Sequence, residues 1–382
     1  MAPYSVSAYG RMVSDRVRMA AYEAALRATV RPGSVVLDIG TGTGIFACLA
    51  CRLGARKVYA VDPSDVVRVA REVAAANGVA DRIEFFQATS RAVELPEPAD
   101  VIVSDLRGVL PPFGRHFADL ADAGRRFLRA DGALIPLCDR VHASVVEAPG
   151  LWAHFVAPSD EEAFGFDMAA ARRSAADVWH KARLEPEMLL TEPAEWAAID
   201  YRDPEAAPLD RALEWEAARA GTGHGIAAWF DAELAPGVGF SNAPGAPPAL
   251  YGQAYFPWPE PVPLAPGDRV RVHLRAVPAA DDHVWTWSTR VTAPGGAEKA
   301  RFESSTLRSA LPSLERLRRG MPDHVPRLGV DGEVEREALL RMDGTRTVAQ
   351  VAAELAALFP GLFPTPHSAV ERVAGLSREL AR

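Results

Sequence analysis

Two acidic residues and three glycines lie where a ligand-binding loop needs them. In the segment VVLDIGTGTGIF, an apolar run ends at Asp38. Glycines follow at alternate positions: Gly40, Gly42 and Gly44. Glycine lets the backbone approach a ligand without a Cβ clash, and the helix that follows offers free N–H groups. A second apolar run ends at Asp62, where a carboxylate can accept hydrogen bonds from both hydroxyls of a ribose. The pattern predicts a nucleotide-type cofactor.

Three interpretations of this loop compete. The segment from Gly42 to Ala47 also satisfies the dinucleotide pattern G-x-G-x-x-G/A, which is weak support by itself. Asp38 favours S-adenosylmethionine (SAM) over NAD, because an acid can hold the amino group of an amino-acid moiety and would repel a pyrophosphate. The third alternative is a structural turn that binds nothing. We predict SAM as the cofactor, with S-adenosylhomocysteine as the product.

A second candidate site follows a run of small and β-branched residues at 100–104. The loop SDLRGVLPPFG places Asp105 directly after a strand, where α/β folds carry their chemistry. Asp105 is predicted to orient an acceptor or take its proton, and the alternative is a strand-end cap. Arg107 would bind an anionic group of the substrate or pair with Asp105. His116 would be a base, or else a surface histidine.

Two cysteines, Cys48 and Cys51, form a C-x-x-C pattern. A redox pair or half of a zinc site is one interpretation. A zinc site would need two more ligands at matching spacing, and Cys138 stands alone. We therefore predict small core residues on an apolar helix, and no metal.

The elements that carry these loops alternate along the chain. A helix is predicted over 10–30, strands over 34–39, 57–61, 83–87 and 101–104, and helices over 45–53 and 66–76. Such alternation is typical of a parallel sheet with helices on its faces. We predict an N-terminal helical cap at 1–30 and a Rossmann-like, SAM-binding domain at 31–145.

The composition changes near Pro149, where Pro and Gly become frequent. Short alternating runs at 255–258, 269–274 and 284–287 predict antiparallel strands. We predict a β-barrel or sandwich domain at 146–310, with a helical insertion at 169–183 inside an arm at about 164–190. The linker 311–326 precedes a helical or winged-helix module at 327–382. The predicted fold class is therefore α/β followed by β, plus a small C-terminal module.

Composition restricts the possible partners. The chain has 382 residues, of which 48% are hydrophobic and 24% charged, as in ordinary globular domains. A net charge of −8 gives no reason to expect nucleic acid, which binds clustered cations. No run reaches the roughly 18 apolar residues of a membrane span. Three cysteines and no apolar core of a signal peptide predict a cytoplasmic chain without a membrane partner.

The first 310 residues or so resemble the protein arginine methyltransferases. Met12 to Arg18 is similar to that family's M-x-x-D-x-x-R helix, which folds over SAM. The resemblance implies that Arg18 holds the SAM carboxylate and that Met12 packs near the sulfonium. VVLDIGTGTGIF is close to the family's glycine motif. The fold that it implies is a class I methyltransferase domain followed by a β-barrel.

The resemblance extends to the nucleoside and to the subunit contacts. Asp62 stands where the family has a ribose-binding acid. Ser90 and Arg91 fall in its adenine-contacting segment, although an acid is usual at the position of Arg91. The segment 164–168 resembles the start of the family's dimerisation arm, which implies a homodimer.

The acceptor side departs from that family. Its loop carries two glutamates that clamp a guanidinium, whereas this chain has Asp105 at the first position and Gly114 at the second. Its Thr-His-Trp barrel motif falls on residues 249–251, which read Ala-Leu-Tyr. A guanidinium needs two anions to stay oriented and lose a proton. We therefore predict a different nitrogen or oxygen acceptor. Residues predicted to line its pocket, unless they only pack, are Tyr4, Tyr9 and Tyr251.

The C-terminal module suggests where the acceptor lies. Residues 339–348 resemble the L-x-x-x-D-G-x-x-T-v segment of PqqD-like domains, the recognition elements for ribosomal precursor peptides. Those winged-helix modules take a leader peptide as an added strand. The resemblance implies an acceptor on a precursor peptide or natural-product intermediate. The alternative is a helical cap or dimer support.

The combined prediction is a SAM-dependent methyltransferase that acts on a peptide or small-molecule acceptor. Two alternatives remain. The first is a catalytically silent partner subunit that binds SAM, and the second is a divergent arginine N-methyltransferase.

Overall fold

The computed structural model describes residues 5–157, 165–204, 209–279, 281–309 and 318–380. The chain divides into two compact units, Met1–Leu311 and Pro312–Arg382. The first unit contains a parallel α/β sheet and two antiparallel sheets, and the second contains three helices among its described residues. The α/β domain followed by a β domain agrees with the fold predicted from the sequence.

Two helices, α1 (Val6–Ser14) and α2 (Arg16–Thr29), open the chain where a single helix was predicted. Asp15 separates them in an extended conformation, and its side chain accepts a hydrogen bond from the N–H of Arg18 at 3.1 Å. An aspartate that accepts this bond is a strong N-cap. The prediction was wrong here because apolar spacing continues across the break.

The first sheet is parallel. Its strands are β1 (Val35–Ile39), β2 (Lys57–Val61), β3 (Ile83–Phe86), β4 (Ala99–Ser104) and β5 (Leu128–Ile135), in the order β3-β2-β1-β4-β5. The helices between them are α3 (Ile45–Arg52), α4 (Val67–Ala76) and α5 (His116–Phe127). The register pairs Ile39 with Ser104. The glycine loop after β1 and the Asp105 loop after β4 therefore start side by side at the carboxyl edge of the sheet.

Two antiparallel sheets form the β domain. The first has the order β7-β12-β10-β6-β8 with β11 beside β10, and the second has the order β15-β14-β13-β9. The strands are β6 (Cys138–Val146), β7 (His180–Ala182), β8 (Ala194–Asp200), β9 (Asp210–Glu216), β10 (Gly221–Ala235), β11 (Val238–Ser241), β12 (Gln253–Leu264), β13 (Arg269–Ala279), β14 (Asp282–Thr292) and β15 (Glu298–Ser305). Trp196, Trp258 and Trp287 are fully buried between them. Large aromatic side chains give this domain its apolar core.

Short helices flank the β domain: α6 (Pro149–Phe155), α7 (Ala169–Ala175) and α8 (Thr306–Ser309). The insertion predicted as helical over 169–183 is helical only to Ala175. His180 to Ala182 pairs with β12 as a strand. The first residue of the arm-like segment, Phe164, lies outside the described residues.

The second unit packs three helices, α9 (Val330–Arg341), α10 (Val348–Leu358) and α11 (Pro366–Leu380), around a small apolar core. Thr347 caps α10, and the side chain of Gln350 completes a capping box. The described residues of this unit contain no strand.

Cys48 and Cys51 are both buried on α3 in the first unit.

No described helix is long and apolar enough to cross a membrane. The described part of the chain also contains no set of three or more His, Cys, Asp or Glu side chains arranged to hold a metal ion.

Candidate active site

The glycine loop is tight and its glycines are conformationally required. Gly40, Gly42 and Gly44 have positive φ angles of 73°, 54° and 82°, a region that other residues rarely adopt. A Cβ at Gly42 would lie 2.8 Å from a ring carbon of Tyr9. Tyr9 on α1 therefore lies against the loop. This contact connects the predicted cofactor loop with one of the predicted pocket tyrosines.

Asp38 presents an unused carboxylate oxygen behind this loop. Its Oδ2 accepts hydrogen bonds from the Thr41 hydroxyl at 2.6 Å and from the Ala47 N–H at 3.1 Å. Its Oδ1 is buried and has no partner among the described residues. Burial raises the pKa of Asp38 to about 7. A buried oxygen of this kind fits a cationic donor such as the ammonium of an amino-acid moiety.

Asp62 is buried at the end of β2 and contacts the same loop. Its Oδ2 accepts a hydrogen bond from the Gly42 N–H at 3.0 Å, and its Oδ1 accepts from the N–H and hydroxyl of Ser64. The carboxylate thus fixes the glycine loop. Its role toward a ribose stays a prediction.

Arg18 bridges the predicted cofactor and acceptor sites. Its Nε donates to Asp105 Oδ2 at 2.5 Å, and its Nη1 donates to the carbonyl of Met12 at 3.2 Å. The guanidinium lies over the rings of Tyr22 and Phe46, 5.2 and 5.1 Å from their centroids. Aromatic faces stabilise a cation held in this way. The structure thus brings together two predicted residues that lie on different elements.

Asp105 accepts three hydrogen bonds from the protein itself. Besides the Arg18 contact, Oδ2 accepts from the Tyr251 hydroxyl at 2.5 Å, and Oδ1 accepts from Arg107 Nε at 3.2 Å. Burial alone would raise the pKa of Asp105, but the two guanidinium groups and the phenol outweigh it and hold the pKa well below its usual range. Asp105 is therefore a permanently ionised group.

Arg107 is completely buried in the middle of this cluster. Its Nη1 donates to Asp139 Oδ1 at 2.9 Å, and its Nη2 donates to the Tyr22 hydroxyl at 2.6 Å. Four rings have centroids within 5.9 Å of the guanidinium carbon: Tyr22, Phe230, Phe240 and Tyr251. Of the two roles predicted for Arg107, pairing with Asp105 is the one that the structure shows.

Asp139 is a member of the site that the sequence did not single out. Its Oδ2 accepts a hydrogen bond from the Tyr201 hydroxyl at 2.6 Å, and its side chain is fully buried. A signal was present, because Asp139 occupies the same phase of β6 as the buried Val141, Ala143 and Val145. An acid on the apolar face of a strand requires a buried partner.

His116 begins α5 and is 2% exposed, so the alternative of a surface histidine is wrong. Its ring packs beside Phe117 and Tyr201. Neither ring nitrogen has a hydrogen-bond partner among the described residues. Burial, and next the charge of Arg107, lowers the pKa of His116 to about 3. The ring is neutral at physiological pH, and no contact supports the predicted role as a base.

Gly114 stands at the position where the resembled family has its second clamping glutamate, and it offers no side chain there. It has a φ of 53°, and its N–H donates to Asp282 Oδ1 at 3.1 Å. The neighbouring Arg115 pairs with Asp281 at 3.1 Å. This part of the loop is therefore fixed to the turn between β13 and β14.

Two other predicted residues, Ser90 and Arg91, lie outside this cluster. Ser90 is buried, and Arg91 pairs with Asp119 on α5 at 2.7 Å. Tyr4 lies outside the described residues. The adenine-contacting and pocket-lining roles of these residues stay predictions.

Comparison with known proteins supports the two-part reading of the first unit. Residues 21–129 match the family model described as ribosomal protein L11 methyltransferase (PrmA). Residues 141–286 match the model described as the arginine methyltransferase oligomerization subdomain. The chain is similar over both parts to SAM-dependent methyltransferases, as the sequence resemblance implied.

Individual relatives agree with these models. "Probable histone-arginine methyltransferase 1.3" of Arabidopsis thaliana is 27% identical over 317 residues, which cover 78% of this chain and 59% of that protein. "Arginine N(omega)-methyltransferase" of Streptomyces achromogenes subsp. streptozoticus is 29% identical over 277 residues, covering 69% of this chain and 74% of that protein. The first two curated relatives are matched over only 59% and 54% of their length.

Solved structures show the same fold. An enzyme–prozyme complex of Trypanosoma brucei PRMT1 with AdoHcy has a TM-score of 0.71 at 23% identity, covering 79% of this chain and 98% of that one. Protein arginine methyltransferase 10 of Arabidopsis thaliana, in an open conformation, has a TM-score of 0.66 at 22% identity, covering 79% and 97%. The first unit therefore has the fold of the protein arginine methyltransferases.

Proposed function

We propose that the chain is a SAM-dependent methyltransferase whose acceptor is a nitrogen or oxygen other than that of a guanidinium. One observation carries the choice of acceptor. The carboxylate of Asp105 is already bound by Arg18, Arg107 and Tyr251. Gly114 offers no second carboxylate to an incoming arginine.

The cofactor part of the proposal rests on the glycine loop. Asp38 Oδ1 is a buried acceptor without a protein partner, and Gly40, Gly42 and Gly44 let backbone lie close to a ligand. Asp38 would hold the ammonium of SAM, and Arg18 would hold its carboxylate. When bound, SAM supplies a methyl group made electrophilic by its sulfonium.

The acceptor part rests on charge. The buried cluster contains two cations, Arg18 and Arg107, and two anions, Asp105 and Asp139. A guanidinium entering it would add a positive charge with no anion left to compensate it, which is costly in a buried site. A neutral acceptor carries no such penalty. Asp105 has a low pKa and is a weak base, so its role is to orient the acceptor and to fix Arg18.

Finer points extend this proposal. The oligomerization subdomain supports a homodimer, and the arm-like segment 164–168 agrees with it. The resemblance of residues 339–348 to peptide-recognition domains supports an acceptor on a ribosomal precursor peptide or natural-product intermediate, with its leader bound by the three-helix unit. We also propose that the protein is cytoplasmic.

Two observations favour second candidates. The three protein contacts of Asp105 also suit a catalytically silent subunit that keeps SAM as a structural ligand. A prozyme is named in the Trypanosoma brucei complex with the same fold. The names of the relatives favour a divergent arginine N-methyltransferase.

Calorimetry and a methylation assay test these candidates together. We expect S-adenosylhomocysteine to bind, and no binding would overturn the proposal. Turnover of SAM should then be measured with arginine, an arginine-containing peptide, and peptides rich in hydroxyl, amide, imidazole or carboxylate groups. Methylation of a non-guanidine acceptor confirms the proposal. Methylarginine supports the divergent enzyme, and binding without turnover supports the silent subunit.

A further inference from the structure

Two exposed cations, Lys181 on β7 and Arg183 directly after β7, contact the loop that carries Tyr251. A third, Arg11 on α1, is also exposed, and its charge acts on Lys181. We call these three residues the cationic rim. None of the three forms an ion pair with any described residue, whereas the chain as a whole carries a net charge of −8. The cationic rim is therefore a local concentration of positive charge on an acidic protein.

The cationic rim is hydrogen-bonded to the loop that carries Tyr251. Lys181 Nζ donates to the carbonyl of Leu250 at 2.5 Å, and Arg183 Nη2 donates to the carbonyl of Ala249 at 3.4 Å. The next residue, Tyr251, reaches into the site and donates to Asp105. Two hydrogen bonds thus connect the cationic rim to the residue that orients Asp105.

Arg11 approaches the rim from the helix that covers the glycine loop. It lies in the last turn of α1, and Asp15, one turn later, accepts a hydrogen bond from the Leu250 N–H at 2.6 Å. Partial burial, followed by the charges of Arg183 and Arg11, lowers the pKa of Lys181. The three cations therefore repel one another, and an anion bound between them would relieve that repulsion.

We infer that the cationic rim binds a carboxylate of the acceptor, so that the substrate of this enzyme is an acidic peptide or a small carboxylic acid. The inference rests on the proposed function and specifies its substrate class. It agrees with the buried cluster, which has no anion free for a cationic acceptor. The cationic rim would attract a negatively charged substrate to the loop that carries Tyr251, and Tyr251 in turn contacts Asp105.

A binding experiment with matched variants tests the inference. Fluorescein-labelled hexaglutamate and hexalysine are titrated with the full chain, and binding is followed by fluorescence anisotropy at about 50 mM salt, where surface charges are weakly screened. The rim variant carries Lys181→Gln and Arg183→Gln. The control variant carries Arg269→Gln and Arg271→Gln, two exposed cations on β13. Both variants lower the net charge by the same amount.

We expect hexaglutamate to bind more tightly than hexalysine, and the rim variant to lose about tenfold in affinity, since two surface charge contacts are removed. The control should stay within about twofold. Competition by N-acetylglutamate would indicate a small acid, whereas resistance to it would indicate a peptide with several carboxylates. Equal losses in both variants, or a preference for hexalysine, would overturn the inference.

A separate readout distinguishes failure of the inference from failure of the proposed function. Binding of S-adenosylhomocysteine depends on the glycine loop, so the rim variant should keep it in calorimetry. If the wild-type chain binds S-adenosylhomocysteine but shows no preference for hexaglutamate, only the inference is wrong. If S-adenosylhomocysteine does not bind, the proposed function fails whatever hexaglutamate does.

Discussion

Tyr251 and Asp105 lie 146 positions apart in the chain, yet the phenol of one donates a 2.5 Å hydrogen bond to the carboxylate of the other. The bond joins the loop before β12 in the β domain to the loop after β4 in the α/β domain. The bond therefore fixes the positions of these two loops relative to each other. Tyr251 stands where the resembled family has a tryptophan, and here it supplies a hydroxyl to the site.

Removal of this hydroxyl should reduce turnover without unfolding the protein. In Tyr251→Phe, Asp105 keeps Arg18 and Arg107 but loses a charge-assisted hydrogen bond. We expect a stability loss of about 1–3 kcal/mol and roughly a tenfold fall in kcat. The control is Tyr255→Phe, which removes a buried phenol that donates to the carbonyl of His224. Equal effects of both variants on kcat would contradict a role for Tyr251 in the site.

Substitution of Gly42 should abolish cofactor binding by steric overlap. Gly42→Ala places a Cβ 2.8 Å from the Tyr9 ring, in the loop proposed to bind the cofactor. The matched control is Gly33→Ala, since Gly33 also has a positive φ, 88°, but has no atom within 4 Å of an added Cβ. Both should lose about 1–2 kcal/mol of stability from the left-handed conformation. Calorimetry with S-adenosylhomocysteine should show binding only in the control.

Arg107→Ala should leave Asp105 and Asp139 as buried anions without their shared cation. We expect a loss of about 3–5 kcal/mol of unfolding free energy. Guanidinium chloride at low millimolar concentration should restore part of it, because the free ion can refill the space between the two carboxylates. Thermal denaturation with equal sodium chloride is the ionic-strength control. Arg290→Ala, which removes an exposed ion pair with Glu298, should show no rescue.

Asp38 should give the chain a pH-dependent stability without cofactor. Its folded pKa of about 7 exceeds the usual value for an aspartate, so the folded state binds the proton more tightly than the unfolded state. The stabilisation is complete below about pH 4 and is lost as the pH rises to about 7. Asp38→Asn should remove this difference, measured as the free energy of unfolding between pH 5 and pH 8. An unchanged pH profile in the variant would contradict the raised pKa.

His116 should contribute to stability with the opposite sign. Its folded pKa of about 3 lies below the usual value, so its contribution is present above about pH 6.5 and is lost as the pH falls toward 3. His116→Phe should therefore lose about 2 kcal/mol less stability than wild type between pH 8 and pH 5. Retained methyl transfer in this variant would exclude His116 as a base.

The sequence predicted the parts of this molecule whose causes are local. Glycines before a helix, an acid before the glycines, and alternating strands and helices are each determined within a few residues. The break at Asp15 had a local cause too, an aspartate N-cap. It was missed because continuous apolar spacing on both sides indicated one helix.

The interior of the site could not be predicted in the same way. Arg107 meets Asp139 only because β6 packs beside the loop after β4, and Tyr251 reaches Asp105 only through the packing of two domains. Such pairs depend on tertiary arrangement, which residue types and spacing do not determine. A charged residue in the buried phase of a strand was the one available signal.

The carboxylate of Asp15 has a consequence for the order of binding events. Its Oδ1 accepts a hydrogen bond from the Arg18 N–H and so caps the start of α2. Its Oδ2 accepts a hydrogen bond from the N–H of Leu250, the residue before Tyr251. A ligand that fixes α1 and α2 over the glycine loop thereby also shapes the loop facing the acceptor. Occupancy of one site then changes affinity at the other by the same factor in both directions. We expect cofactor and acceptor to bind cooperatively, with the cofactor preparing the site that the acceptor enters.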